Sequence, residues 1–175
     1  LLAASLLGLV PATFSTDIID RLILWSKPGM DSKSLEALFN AGARRIRHDK
    51  PEQWFELIQT WLSDNVATKK IHGIQALIPA AREHDFENLP ILFQVINPLM
   101  ENPSATIQTG LVELLQILAK RTPAETLYFL KHHLILSNTP GTSRLVRRLV
   151  PAFDLDYQNR LKTSLIEQSK TGGEA

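Results

Sequence analysis

The chain has 175 residues, of which 44% are hydrophobic and 21% are charged. This length and composition can bury a core and exclude an intrinsically disordered chain. The 19 Lys and Arg nearly balance the 18 Asp and Glu, which excludes an overall polycation, so any basic surface must be a local patch. The sequence contains no Cys, which excludes disulfide scaffolds, thiolate metal sites, Fe–S clusters and cysteine nucleophiles. The lack of Cys is typical of reducing compartments, and we expect a cytoplasmic protein.

The first ten residues, Leu1 to Val10, are apolar and end at Pro11. A segment of this length is too short for a bilayer, which requires about 20 apolar residues. No basic residue flanks it, which favours a buried helix over the apolar part of a signal peptide. Nothing else in the sequence could cross a membrane, so we expect no membrane partner.

The sequence predicts helices only, because apolar residues recur with the 3.6-residue period and no run alternates as a strand would. The clearest apolar face carries Ile107, Leu111, Leu114, Leu115 and Leu118. The breaks are short, which predicts antiparallel packing of consecutive helices and no interdomain linker. The predicted helices span about 1–10, 14–26, 32–48, 51–62, 65–83, 87–100, 104–121, 123–136, 141–152 and 155–168.

Capping signals mark several helix starts. Thr122 to Glu125 form a capping box around Pro123. Asn102-Pro103 and Thr139-Pro140 each pair a capping side chain with a proline at the first helical position. Asp64 or Ser63 is predicted to cap a helix that begins near Val66.

Polar and aromatic residues recur with a period of 36–38 residues. Trp25 and Trp61 are 36 residues apart, and Asp64, Asn102 and Asn138 follow one another at intervals of 38 and 36. Two helices per period resemble HEAT repeats, which predicts an all-α fold, an α-solenoid of HEAT-like helical hairpins. We expect a single repeat array over residues 1–169 and a flexible tail over 170–175. Leu1 to Leu9 resemble the second half of a repeat, so residues before them are expected to be missing.

Four basic clusters lie on predicted second helices of these repeats. In HEAT solenoids such helices line the concave surface, so the clusters are expected to converge on a groove that suits a phosphate backbone. The alternative is solvated helix ends that complement the helix dipole, and we favour it for Lys120 and Arg121. Both interpretations stay open for Arg144, Arg147 and Arg148, which share one helix face. The candidate nucleic-acid-binding residues are Arg44, Arg45, Arg47, Lys69, Lys70, Arg144, Arg147 and Arg148.

Three other groups of residues give weaker evidence for a functional site. Adjacent histidines such as His132 and His133 point about 100° apart on a helix and chelate poorly, so we expect no metal. Three tryptophans could stack on bases, but their apolar surroundings favour core packing; these are Trp25, Trp54 and Trp61. Five acidic residues could act as bases or bind cations, but their positions between helices favour capping and solvation; these are Glu83, Asp85, Glu87, Asp154 and Asp156. No phosphate-binding loop or nucleophile elbow occurs, and we expect no cofactor.

Two stretches carry a family resemblance. The first is Pro51-Glu52 through Trp61 with Ser63-Asp64-Asn65 and Lys70; the second is Ile107-Gln108 and Leu114 to Ala119-Lys120 and Pro123. Over roughly residues 50–150 the sequence resembles the AlkD-type DNA alkylation repair family. These HEAT-like glycosylases hold duplex DNA in a basic concave groove.

The resemblance assigns roles to single positions. Lys70 falls where the family has a DNA-contacting Arg, which implies a phosphate ligand. Glu113 falls where the family has an active-site Trp, and Ala67 replaces another Trp. Asp31 is the candidate acid in the region of the catalytic Asp. The resemblance therefore implies the family's fold and groove without its full cleft chemistry.

Three hypotheses follow. We favour a HEAT-repeat module that binds duplex DNA in a basic concave groove without full glycosylase activity. The second is a protein–protein scaffold, which the near-zero net charge and the acidic stretch near Asp85 support. The third is an active alkylpurine DNA glycosylase that uses Asp31 or another carboxylate. Salt dependence separates the first two, because phosphate contacts weaken steeply with salt.

Overall fold

The computed structural model describes residues 1–137 and 139–171, and for Lys170 and Thr171 the backbone only. These residues form helices and no strands, which confirms the predicted all-α class. Asn138, used above in the repeat spacing, and most of the predicted tail lie outside the described residues. The chain divides into two compact units, Leu1–Glu83 and His84–Ala175. No helix in the described part of the chain is both long enough and apolar enough to span a membrane.

The first unit contains six α-helices with a 3-10 turn and a π-helical segment. The helices are α1 Leu2–Leu7, α2 Ser15–Trp25, α3 Ser32–Ala37, α4 Arg44–Asp49, α5 Pro51–Ser63 and α6 Ala67–Arg82. The 3-10 turn is Ala12–Phe14 and the π-helical segment is Leu38–Gly42.

The core of the first unit is centred on α5 and α6, which pack against each other. Trp54 and Trp61 of α5 are buried, as predicted, whereas Trp25 is only half-buried. Gly73 of α6 faces Leu62, and a Cβ at Gly73 would lie 2.6 Å from Leu62 Cδ2. Glycine therefore permits the close approach of these two helices.

The run predicted as one helix over 32–48 is helical, but it is not a single regular α-helix. The run is interrupted by the π-helical segment, where the Ala43 N–H donates to the Leu38 carbonyl five residues earlier. Helix α1 packs on this segment, and Gly42 leaves room for the Ala4 carbonyl. The predicted burial of the first ten residues holds for Ala4 and Leu7 only, because Leu2, Leu6 and Leu9 are exposed.

The second unit contains five α-helices and two 3-10 turns in its described part. The helices are α7 Leu89–Ile96, α8 Ala105–Arg121, α9 Pro123–Ser137, α10 Pro140–Leu149 and α11 Leu155–Thr171. The 3-10 turns are Asn97–Met100 and Val150–Ala152.

Helix starts in the structure test the predicted caps. Thr139 Oγ1 accepts the Thr142 N–H at 3.3 Å, which confirms the cap of α10. The predicted cap at Asn102 is wrong, because α8 begins at Ala105 after Ser104. Asp64 accepts the Val66 N–H at 2.8 Å before α6 begins.

The core of the second unit is built around α8, which packs against α9 and α10. Its predicted apolar face is buried, from Ile107 to Leu118. Two buried polar side chains are satisfied by carbonyls. Gln108 Nε2 donates to Pro103 O at 3.0 Å, and Thr142 Oγ1 donates to Met100 O at 2.9 Å. The first bond ties α8 to the loop before it, and the second ties the end of the preceding 3-10 turn to α10.

Within each unit, side-chain hydrogen bonds repeatedly join residues about one predicted repeat apart. A separation of 36 residues occurs between Arg45 and Leu9, Arg47 and Glu83, and His133 and Asn97. Thr139 and Glu101 are 38 residues apart. The chain thus returns to the same neighbourhood once per period within each unit. The single array over residues 1–169 and its solenoid form stay predictions.

Candidate nucleic-acid interface

Helix α10 carries three exposed arginines on an otherwise well-packed helix. Thr139 and Pro140 fix its start, and one side is buried through Leu145, Val146 and Leu149. The other side presents the α10 arginines, Arg144, Arg147 and Arg148, to solvent. Because the apolar side holds the helix in place, these guanidinium groups are presented from a fixed backbone.

The α10 arginines differ in their partners. Arg144 Nε donates to the Pro140 carbonyl at 3.2 Å, four residues earlier. Arg147 and Arg148 have no hydrogen-bond or ion-pair partner among residues 1–137 and 139–171. Their positive charges are therefore not paired with any carboxylate within the described structure, although both lie in the last turn of α10, where the helix dipole favours cations. A guanidinium in this state can donate two parallel hydrogen bonds to a phosphate.

The three arginines of α4 are separated by the fold. Arg47 is buried, with Nε donating to Glu83 Oε2 at 3.0 Å and Nη1 donating to Phe39 O at 2.9 Å. Arg45 is exposed and binds Asp49 Oδ2 at 3.2 Å. Arg44 is exposed and has no partner within the described residues. Arg47 therefore leaves the candidate phosphate-binding set, because its guanidinium is buried and fully engaged.

Lys69 and Lys70 lie in the first turn of α6. The helix dipole disfavours cations at this end, so dipole complementation does not account for them. Lys69 Nζ binds Asp64 Oδ2 at 2.7 Å. The hydrogen bonds from Lys69 and from the Val66 N–H lower the pKa of Asp64. Lys70 is half-buried and has no side-chain hydrogen bond or ion pair within the described residues, although its charge also helps to lower the pKa of Asp64. It lies at a helix end that favours anions.

Asp31 is the N-cap of α3. Its Oδ1 accepts the Ser34 N–H at 3.0 Å, and hydrogen bonds from Ser34 lower the pKa of this exposed carboxyl. A lowered pKa makes the carboxylate a weaker base. No bond in the described part of the chain joins Asp31 to the candidate basic residues. The role that the structure supports for Asp31 is therefore that of a helix cap.

The other positions assigned by resemblance are at the surface. Glu113 is exposed on α8, and Ala67 is the exposed first residue of α6. Neither residue forms part of a buried wall of aromatic side chains.

The histidines divide between core and surface. His72 is buried beside Phe39 and Trp61, and His133 Nε2 lies 3.0 Å from Asn97 Oδ1. Burial lowers the pKa of both rings, which keeps them neutral near pH 7. Among the described residues no group of three or more His, Asp or Glu side chains could hold a metal ion.

Sequence reasoning missed the role of Glu83, which was expected to cap or be solvated. The carboxylate instead receives two bonds from Arg47 and lies 3.4 Å from His48 Nε2. The signal in the sequence was its separation of 36 residues from Arg47, the same as the repeat period.

The family model described as DNA alkylation repair enzyme matches residues 1–148. The chain belongs to the DNA alkylation repair enzyme family. No curated protein and no solved structure matches the chain. The segment that matches the DNA alkylation repair family extends from α1 to Arg148, and therefore includes every candidate basic residue.

Proposed function

We propose that this member of the DNA alkylation repair family binds the backbone of duplex DNA. This proposal rests on Arg147 and Arg148, which are exposed and have no side-chain partner within the described residues. They lie on a helix whose opposite side is buried. Phosphate contacts by such side chains supply most sequence-independent affinity.

The first unit contributes cations of its own. Arg44 and Lys70 form no side-chain hydrogen bond or ion pair within the described residues. Lys69 and Arg45 are in surface ion pairs, which contribute little stability and can exchange a carboxylate for a phosphate. The revised DNA-binding set is therefore Arg44, Arg45, Lys69, Lys70, Arg144, Arg147 and Arg148.

We propose that the helices follow the order of HEAT-like hairpin repeats, with the second helices facing the DNA in a basic concave groove. The recurrence of hydrogen bonds over 36 residues within each unit supports this order. Stacked repeats bring positions one period apart into contact.

We also propose that the protein lacks full glycosylase activity. Glu113 stands where the resemblance places an active-site Trp, and a carboxylate cannot stack on an alkylated base. Asp31 is engaged as a helix cap and has a lowered pKa. These two positions argue against the alternative of an active alkylpurine DNA glycosylase.

The second candidate function is a protein-interaction module. The exposed apolar residues of α9, Tyr128, Ile135 and Leu136, favour it. Large exposed apolar side chains on one helix are typical of interaction surfaces.

Fluorescence anisotropy with a labelled duplex tests the DNA proposal. We expect binding at about 50 mM salt that weakens steeply by about 200 mM. A methylated duplex measured in parallel should bind with similar affinity, because backbone contacts do not recognise the base. Absence of binding at the lower salt concentration would overturn the proposal and favour the protein-interaction module.

A further inference from the structure

The second unit contains a cavity of about 530 Å³ beside α7 and α9. Its walls include Phe93 of α7 and Phe129 of α9, whose ring centroids are 5.0 Å apart. Tyr128 adds a third ring. Glu87 and Glu125 also line the cavity. Aromatic faces together with carboxylates are complementary to an organic cation.

The backbone that carries the two carboxylates is held in place before any ligand arrives. Arg121 Nη2 donates to Phe86 O at 3.0 Å and to His84 O at 3.4 Å, which fixes the backbone next to Glu87. Glu125 lies in the first turn of α9, where the helix dipole favours negative charge. Both side chains are exposed, and neither has an ion-pair partner among residues 1–137 and 139–171. The described residues that line this cavity therefore include two carboxylates and no Lys or Arg.

Exposed apolar side chains continue from the cavity along α9. Tyr128 is 73% exposed and also lines a second cavity of about 350 Å³ with Ile135. The wall of this second cavity also includes Lys131, His132 and Arg160, so the negative charge is confined to the first cavity. Ile135 is 76% exposed. A small cation would leave these side chains in water, whereas a protein segment would cover them. The surface of Phe93, Tyr128, Phe129 and Ile135, with Glu87 and Glu125, is called the α9 surface below.

We propose that the α9 surface binds a protein segment that inserts an arginine side chain into the aromatic cavity. The planar guanidinium stacks on an aromatic face and donates hydrogen bonds to Glu87 or Glu125. An apolar side chain of the same segment packs on Tyr128 and Ile135. This proposal is independent of DNA binding, because it uses none of the candidate phosphate ligands.

Selection from a displayed library of random peptides of about 12 residues, with the whole chain as bait, tests the proposal. The enriched peptides should contain arginine near apolar residues. Replacing that arginine by citrulline, its neutral analogue, should weaken binding by about tenfold. In NMR spectra the ring protons of Phe93, Tyr128 and Phe129 should shift on peptide addition. Enrichment of peptides without a cation, or no enrichment, would overturn the proposal.

Matched variants place the binding on this surface. Glu87→Gln/Glu125→Gln and, separately, Tyr128→Ala should each weaken peptide binding, and these exposed positions leave the core intact. Glu52→Gln/Glu56→Gln makes the same charge change on exposed positions of α5 and should leave peptide binding unchanged. If Glu87→Gln/Glu125→Gln altered duplex DNA affinity more than this control while leaving peptide binding unchanged, the surface would belong to DNA and the proposal would be wrong.

Discussion

Arg47 and Glu83 are 36 residues apart in the sequence and form a doubly hydrogen-bonded ion pair within the first unit. The Arg47 side chain is 1% exposed and that of Glu83 is 20% exposed. Arg47 also donates to the Phe39 carbonyl at 2.9 Å. One guanidinium thus connects α4, the π-helical segment before it and the end of α6.

Removing the carboxylate should destabilise the first unit strongly. Glu83→Ala leaves the buried Arg47 charge without its partner, which costs about 3–5 kcal/mol. Denaturant unfolding followed by tryptophan fluorescence measures this destabilisation, because Trp25, Trp54 and Trp61 all lie in the first unit.

Arg45→Ala is the control for the Glu83 variant. It breaks the exposed pair with Asp49 and the exposed hydrogen bond to the Leu9 carbonyl, and exposed contacts of this kind contribute about 1 kcal/mol or less each. Equal destabilisation by Glu83→Ala and Arg45→Ala would show that the buried pair contributes no more to stability than the exposed one.

The α10 arginines should determine much of the salt dependence of DNA binding. Arg147→Ala/Arg148→Ala should lower affinity for all duplex sequences alike. The slope of log K against log salt should become shallower by about 0.9 for each phosphate that the variant no longer neutralises. Anisotropy titrations at several salt concentrations measure both quantities.

Lys120→Ala/Lys162→Ala is the matched control, since it also removes two exposed positive charges from the second unit. It should change the slope less than the arginine pair does. Equal slopes for the two double variants would mean that DNA binding depends only on the net charge of the protein. That result would contradict the proposed contact between α10 and DNA.

Base release should be absent or near background. The wild-type protein incubated with methylated duplex should release no more free alkylated base than buffer does, and Asp31→Asn should behave identically. Chromatography of the released bases measures this. Release above background that Asp31→Asn abolishes would instead establish Asp31 as a catalytic residue.

Stability of the first unit should fall on acidification through the titration of His72. Burial lowers the pKa of His72 in the folded chain, so the unfolded chain binds the proton more readily. The contribution of the neutral ring is fully present above the unfolded pKa of about 6.5 and is lost as the pH falls through the lower folded value. Unfolding free energies measured between about pH 8 and pH 5 should reveal the slope.

His72→Phe isolates this effect, because an aromatic ring remains to pack against Phe39 and Trp61. The variant should show a weaker dependence of unfolding free energy on pH in the same window. An unchanged dependence would assign the acid sensitivity to other groups.

The sequence predicted local features well. The apolar period placed Leu111, Leu114 and Leu118 in the core, and Thr139-Pro140 marked the start of α10. Both features depend on residues a few positions apart, which the sequence displays directly. The break in the helix over 32–48 was missed, because it coincides with the packing of α1 on Leu38–Gly42 rather than with a local stop signal.

The sequence by itself determined the all-helical class and the resemblance to the family that the chain belongs to. Only the tertiary structure decided which positive charges are free. Arg47 and Arg147 both lie in the last turns of short helices, yet one is buried on Glu83 and the other is exposed and unpaired within the described residues. The aromatic cavity has the same origin, because Phe93 and Phe129 are also 36 residues apart. Helix faces follow from neighbours along the chain, whereas charge pairing and cavities depend on which side chains the fold brings together from one period away.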